Sequence, residues 1–246
     1  MGYEIDKNLI KDMLLFPCEI EVLDSVSSTN DYVKDKDLFC VIAKEQTGGK
    51  GTNNRSFFSP LGGIYLSVKL NLNLKGEDFL LLTPYVAVLT ARAIDKVSGA
   101  KTSVKWVNDI YLNGKKLAGI LCENLIVNET AQVVVGIGVN VDTKNFPAFN
   151  LNVPTSLANE GYNVDKNRLI AELLNSFSNF EKGLKSREFL TEYGDRFYLK
   201  GKDVTITQNG KTVKGRVKGI SKTCAVKVQT ECGEKEFYFG DVIVDG

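Results

Sequence analysis

Apolar positions along the chain recur at two spacings, which separate predicted helices from predicted strands. "IDKNLIKDMLLF" carries apolar residues at helical intervals, with Asp6 placed to cap the first turn. "CEIEVLD" alternates and predicts a strand. "SSTNDYVKD" predicts a short helix with Ser28 or Thr29 as its N-cap. "LFCVIAKE" predicts a buried strand, and "GIYLSVKLNL" a strand with period-two alternation. "EDFLLLTPYVAVLTARAIDKVSG" predicts a long apolar helix, with Pro84 in its first turn and Gly99 past its end. In "DIYLNGKKLAGILCENLIV" an Asn-Gly pair between apolar runs predicts a hairpin. "QVVVGIGVNV" predicts another buried strand. "DKNRLIAELLNSFSNFEKGLKS" predicts one amphipathic helix, followed by "REFLTEYGDRF".

The pattern changes after about Leu199. "DVTITQNGKTVKGRVKGISKTCAVKVQTECGEKEFYFGDVIV" consists of short alternating segments broken by turn residues, which predicts a small antiparallel barrel or sheet. A boundary near residues 198–202 would divide the chain into 1–199 and 200–246. Basic residues outnumber acidic ones in the second part by only three, too few to argue for nucleic-acid binding.

Composition removes several function classes. The chain has 246 residues, 43% hydrophobic and 25% charged, with a net charge of +1. Those proportions suit a soluble globular protein, and the charge favours neither nucleic acid nor an anionic membrane. No apolar run approaches the roughly 20 residues that a membrane-spanning helix needs. Five cysteines without a C-x-x-C pair point to reduced, mostly buried thiols and a cytoplasmic setting. There is no histidine. Histidine triads, histidine metal sites and histidine general bases are therefore excluded, and any chemistry falls to Lys, Arg, Asp, Glu, Asn, Gln, Ser, Thr or the backbone.

Four stretches remain that a strand-and-helix reading does not use up. "QTGGKGTNNRSFFSPLGG" (46–63) places a glycine-rich loop between two strands, although glycine runs cost conformational entropy. It is either a long surface loop or a loop whose amides approach an anion, and it fits neither common phosphate fingerprint. "SSTN" (27–30) is a helix cap or a set of ligand-binding hydroxyls and an amide. "KWVNDIYLNGKKLAG" (105–119) is an edge hairpin defended by lysines or a cationic site. "GIGVN" (136–140) is a strand with close backbone packing or a strand end facing a ligand.

In this order, S-S-T-N, the glycine loop ending F-S-P, K-W-x-N-D…K-K-L-A-G and G-I-G-x-N resemble the biotin protein ligases, from about Val22 to the end of the chain. "KWVNDIYLNGKKLAGIL" is the most specific part. The loop, read as G-K-G-T-N-N-R from Gly49 to Arg55, is similar to the family's G-R-G-R-x-G-R pattern. The resemblance implies an α+β fold: a mixed β-sheet catalytic domain of the class II synthetase-like kind, flanked by helices, with a small C-terminal SH3-like β-barrel. It implies that biotin is activated with ATP as biotinyl-5'-AMP and passed to a lysine of a biotin carboxyl carrier protein. Lys116 would touch both carboxylate and α-phosphate, Lys50 would share that work, and Asp109 would accept the proton of the incoming lysine. Biotin would meet Ser28, Thr29, Asn30 and Gln46, the loop residues Gly49, Lys50, Gly51 and Thr52, and Lys116, Gly119 and Leu121. The nucleotide would meet Lys50, Thr52, Arg55, Phe57, Asn108, Asp109 and Asn140. Mg2+ would ride on the phosphates, without protein ligands. The glycine loop would order over the adenylate and keep water from the mixed anhydride.

The sequence departs from the pattern at Thr52, where an arginine is usual, at Asn54, where a glycine is usual, and at Phe57, where tryptophan is common. About twenty residues precede the first matching strand, too few for a helix-turn-helix, so the expectation is a short form with no DNA partner and no membrane. Pairing of two copies through a sheet edge is expected by analogy. A lipoate-type ligase of the same fold, and a biotin-binding regulatory protein without efficient ligase activity, are the alternatives.

Overall fold

The computed structural model describes residues 4–127, 130–147 and 153–245. Seven strands form one mixed sheet: β1 Ile20–Val26, β2 Cys40–Gln46, β3 Gly63–Leu72, β4 Ser103–Lys105, β5 Asp109–Leu112, β6 Lys115–Val127 and β7 Thr130–Asn140. Their order is β1-β2-β3-β7-β6-β5-β4. Only β1 and β2 run parallel. The other neighbours are antiparallel, and the Asn113-Gly114 turn joins β5 to β6 with positive φ at both residues (51° and 78°). That is the geometry an Asn-Gly hairpin supplies.

Period-two alternation gives each face of the sheet its own packing. Val41 and Val134 point to one face and bury Val33 of helix α2, Thr29–Lys34. Ile42, Val133 and Val135 point to the other and join the main core with helix α3, Asp78–Ser98. Three further helices, α4 Lys166–Asn175, α5 Phe180–Ser186 and α6 Phe189–Asp195, pack on α3. The N-terminal helix α1, Lys7–Asp12, is capped by Asp6, whose side chain accepts from Asn8 N and Leu9 N.

Two expectations need correction. Pro84 is the seventh residue of α3 rather than part of its first turn. The helix tolerates it because the carbonyl left without an N–H belongs to Leu80, which is 46% exposed and open to water, while Leu81, Leu82, Tyr85 and Val86 hold the helix to the core. The amphipathic helix predicted over 165–186 is two helices. Ser176 caps α4 and turns its hydroxyl back to Leu173 O at 2.6 Å. Asn175, Ser176, Ser178 and Asn179 are poor helix formers, and the stacked Phe177 and Phe180 rings turn the break inward.

Five C-terminal strands, β8 Asp203–Gln208, β9 Lys211–Ile220, β10 Val226–Thr230, β11 Gly233–Phe237 and β12 Asp241–Val244, form an antiparallel sheet in the order β11-β10-β9-β8-β12. Strand number and order suit an SH3-like unit. Its interior residues Val204, Ile206, Val217 and Cys224 belong to the same core cluster as the larger sheet. Trp106 Nε1 donates to Cys224 O at 2.7 Å across the junction. All five cysteines are free thiols, with Cys40 and Cys224 buried. Among the described residues no helix is long and apolar enough to cross a membrane.

Candidate active site

A cavity of about 420 Å³ opens over β6 and β7, under the glycine loop and beside β12. Its floor is made by glycines on adjacent strands: Gly119 pairs with Gly138, and Leu121 with Gly136. A Cβ on Gly138 would lie 2.5 Å from Phe57 Cε1, and one on Gly119 2.9 Å from Phe57 Cε2. A Cβ on Gly136 would overlap Asn30 Oδ1. The glycines of "GIG" and "LAG" therefore let an aromatic ring and an amide lie directly on the strands.

One wall is polar. Ser28 caps α2, accepting from Asp31 N, and so aims the first turn of that helix at the cavity. Gln46 Oε1 accepts from Thr29 N at 2.8 Å and Thr29 Oγ1 at 3.0 Å. Gln46 Nε2 donates to Ser59 Oγ at 2.9 Å. Ser67 Oγ lies 2.8 Å from Thr29 Oγ1 and 2.6 Å from Asn30 Oδ1. The sequence alone does not reveal Ser67, which reads as one more alternating position of β3.

Four cations border the same cavity. Lys50 Nζ is 2.6 Å from Asp31, whose carboxyl that hydrogen bond holds below the usual range. Arg55 ion-pairs with Asp241 of β12. Lys116 Nζ lies 2.7 Å from Asp109 Oδ1 and 5.8 Å from the centre of the Phe57 ring. Lys105 is buried; desolvation pulls its ammonium below the ordinary lysine range, Asp109 opposes this, and Lys116, Lys202 and Arg55 add to it. The Lys50 and Arg55 pairs are about half exposed, so they hold weakly and can give way to an incoming anion.

Lys116 is placed by its backbone. Its N–H donates to Val153 O and its carbonyl accepts from Thr155 N, both at 2.8 Å. Glu160 clamps this arrangement, accepting from Thr155 Oγ1 (2.6 Å), Asn113 Nδ2 (2.7 Å) and Lys115 Nζ (3.0 Å). The Thr155 hydroxyl, then the Asn113 amide, bring the Glu160 carboxyl down from 4.5 to about 2. A lowered carboxyl stabilises the fold above its unfolded value and loses that contribution as pH falls from about 4.5 to about 2. Glu160→Gln is expected to cost roughly 1–3 kcal/mol at neutral pH, with a shallower loss of stability below pH 4.5. Urea unfolding at a series of pH values checks this; parallel curves for the two proteins would remove Glu160 from the clamp.

Every residue singled out from the sequence lines this cavity except Gly49. Gly49 lies behind it: its carbonyl accepts from Phe57 N at 2.8 Å, and a Cβ there would be 2.5 Å from Ser59 Oγ. Asn108 also has internal work, its Nδ2 donating to Ile120 O at 2.9 Å across the irregular β5–β6 pairing. Asn140 Nδ2 donates to Thr155 O, while its buried Oδ1 has no hydrogen-bond partner among the described residues. Such an acceptor is available to a ligand donor. Sequence reasoning missed Lys105 and Trp106, although "KW" opens the most specific string, and missed residues 238–243, which border the cavity from the C-terminal sheet.

Known proteins resemble this chain along most of its length. Residues 22–140 match the Biotin/lipoate A/B protein ligase family, and 200–245 the Biotin protein ligase C terminal domain. The chain is 30% identical over 236 residues to the bifunctional ligase/repressor BirA of Escherichia coli, covering 91% of this chain and 73% of that protein. It belongs to the biotin protein ligases. BirA of Bacillus spizizenii is 31% identical, over 82% of this chain and 65% of the relative. The biotin protein ligase of Aquifex aeolicus solved with biotin and ATP superposes with a TM-score of 0.77 at 26% identity, covering 92% of this chain and 98% of that one. The first matched segment holds every cavity residue from Ser28 to Asn140, and the second holds β8 to β12.

Proposed function

We propose that this biotin protein ligase activates biotin with ATP as biotinyl-5'-AMP and transfers biotin to a lysine of a biotin carboxyl carrier protein. Residues 1–199 would carry the chemistry, and 200–246 would close one side of the site. The observation that carries this reading is the meeting, in one cavity, of the Thr29–Gln46 wall with Lys50, Arg55, Lys105 and Lys116. A cyclic urea offers one carbonyl and two N–H groups and needs acceptors and donors together. A carboxylate brought against a triphosphate brings two anions together and needs cations.

Lys116 is suited to bridge the carboxylate and the α-phosphate, leaving Asp109 as it does so. Asp109, freed from that ammonium, is then an acceptor for the proton of the carrier lysine. Asn140 Oδ1 and Phe57 fit the nucleotide side, the ring as a stacking surface. The loop rests beside the site through Lys50 on Asp31 and Arg55 on Asp241, and release of these cations to the ligand phosphate would draw it over the mixed anhydride to exclude water. Among the described residues no three Asp, Glu or Cys side chains are grouped to hold a metal ion. Asp109 is engaged by Lys116, so the residues present fit a Mg2+ that arrives on the phosphates and neutralises charge there. The free thiols fit a reducing cytoplasm.

Incubation with biotin, MgATP and a carrier domain, followed by intact mass, tests the proposal. Pyrophosphate exchange with biotin but not lipoate separates it from lipoate-type ligation, and absence of exchange with either would leave a binding protein.

Thr52 makes a further prediction. It begins a single turn, Thr52–Asn54, and its carbonyl accepts from Arg55 N at 3.2 Å and Arg55 Nε at 3.3 Å. Its side chain has neither charge nor the reach of an arginine fork. Thr52→Arg is expected to slow adenylate release by roughly 10- to 150-fold, the worth of one charge-assisted hydrogen bond. Stopped-flow dissociation of pre-formed biotinyl-5'-AMP measures it; equal rates would mean that other loop contacts retain the adenylate.

A further inference from the structure

The glycine loop is itself a small hairpin. Phe57 N donates to Gly49 O at 2.8 Å, Lys50 and Ser56 pair as an antiparallel bridge, and Gly51 N donates to Arg55 O at 2.6 Å. These rungs tie its two arms into one piece. Its two cations rest on different walls of the cavity: Lys50 on Asp31 of α2, and Arg55 on Asp241 of β12. The hairpin thus lies as a strap between the larger sheet's helix and the C-terminal sheet.

The two anchors differ. Asp31 lies outside the cavity lining and keeps Lys34, 3.0 Å away, when Lys50 leaves. Asp241 borders the cavity, and among the described residues Arg55 is its one ion-pair partner. The backbone delivers it there. Gly240 has φ 136°, and a Cβ on it would lie 2.8 Å from Thr207 O, so glycine lets the chain turn this close to β8. Asp241 then pairs with Thr207 at the start of β12. Arg55 Nε is turned back to Thr52 O at 3.3 Å, which leaves the two Nη groups as the edge that an anion would take bidentately. Asp241 occupies Nη2 of that edge. A carboxylate at the rim of an anion site therefore holds a cation that the anion can use.

We propose that Asp241 is a specificity-determining residue that competes with the ligand's phosphate for Arg55. It makes the site hold a phosphate-bearing ligand less firmly than its cations alone would, and it takes Arg55 back when AMP leaves. This rests on the ligase reading above. The test is isothermal titration with two stable ligands: biotinol-5'-AMP, a phosphate ester that keeps the charge of the adenylate, and biotinamide, which is uncharged. Asp241→Asn should tighten biotinol-5'-AMP by about two- to fivefold, the range for an exposed ion pair, and leave biotinamide within about 1.5-fold. Loss of a nearby negative charge would by itself favour an anion, so the substitution is repeated on Arg55→Gln. That general effect acts alike in both backgrounds, whereas the competition needs Arg55. The gain on Arg55→Gln should therefore be smaller than on the parent by about twofold or more. Equal effects in the two backgrounds, zero included, would overturn the inference. Weaker binding of biotinol-5'-AMP by Asp241→Asn would overturn it too, making Asp241 an orienting partner of Arg55. An equal shift for biotinamide would mark a structural change and have the same consequence. A parent protein that does not bind biotinol-5'-AMP would instead overturn the ligase reading itself.

Discussion

Lys116→Ala is expected to lower adenylate formation by about 100-fold or more, the loss of a charge-assisted contact worth roughly 1.5–3 kcal/mol to each of two charged partners. The strand should survive the change, because Lys116 is held through its own N–H and carbonyl by Val153 and Thr155. The side chain has a second duty, however. Its ammonium is the close countercharge of Asp109 Oδ1, which is buried. Removing it leaves an uncompensated carboxylate, so the single variant should also lose some stability. Pairing Lys116→Ala with Asp109→Asn separates the two duties. The double variant should recover melting temperature but not pyrophosphate exchange. Normal exchange by a folded Lys116→Ala protein would reduce Lys116 to a countercharge.

Gly136→Ala is expected to cost roughly 1–3 kcal/mol of stability, the usual toll of overpacking a tight interior, and to weaken biotin binding by about 100-fold or more as Asn30 is displaced. The added methyl would overlap Asn30 Oδ1. Asn30 has nowhere to retreat: it is buried and tied to Ser67 and Glu123. Gly138→Ala offers the control. There the methyl meets the Phe57 ring, which can rotate away, so the fold should hold while the cavity floor changes. Denaturant unfolding and biotin titration of both variants measure the contrast. A Gly136→Ala protein as stable and as tight as its parent would mean that the helix carrying Asn30 gives way freely.

What could be read from the sequence was local. The Asp6 cap, the Asn113-Gly114 turn and the Gly99 stop each follow from residues within a few positions of one another, and the structure has all three. Pro84 was not legible, because the packing of its helix overrode local preference, and the α4–α5 break was missed because the apolar spacing runs on through a local cluster of Asn and Ser. The site divides in the same way. Residues in compact strings, such as Thr29, Lys50, Lys116 and Asn140, could be named from order and type. Their partners could not: Asn30 meets Glu123 across 93 positions, and Arg55 meets Asp241 across 186. No periodicity links positions so far apart; only the packing of helix, loop and the two sheets brings them together.

The strip at 238–243 that borders the cavity has a consequence in time. During synthesis Asn140 leaves the ribosome about 100 residues before Tyr238 does. At roughly 5–20 residues per second that is an interval on the order of 5–20 s. For that time the glycine loop has Asp31 within reach for Lys50 but no Asp241 for Arg55, and Trp106 has no Cys224 carbonyl to receive its N–H. A nascent chain in this interval has its polar wall and its lysines but lacks one side of its enclosure. Sealing of the pocket thus waits on a strip made well after its floor and its lysines, and a ribosome stalled short of residue 238 would display an unsealed site.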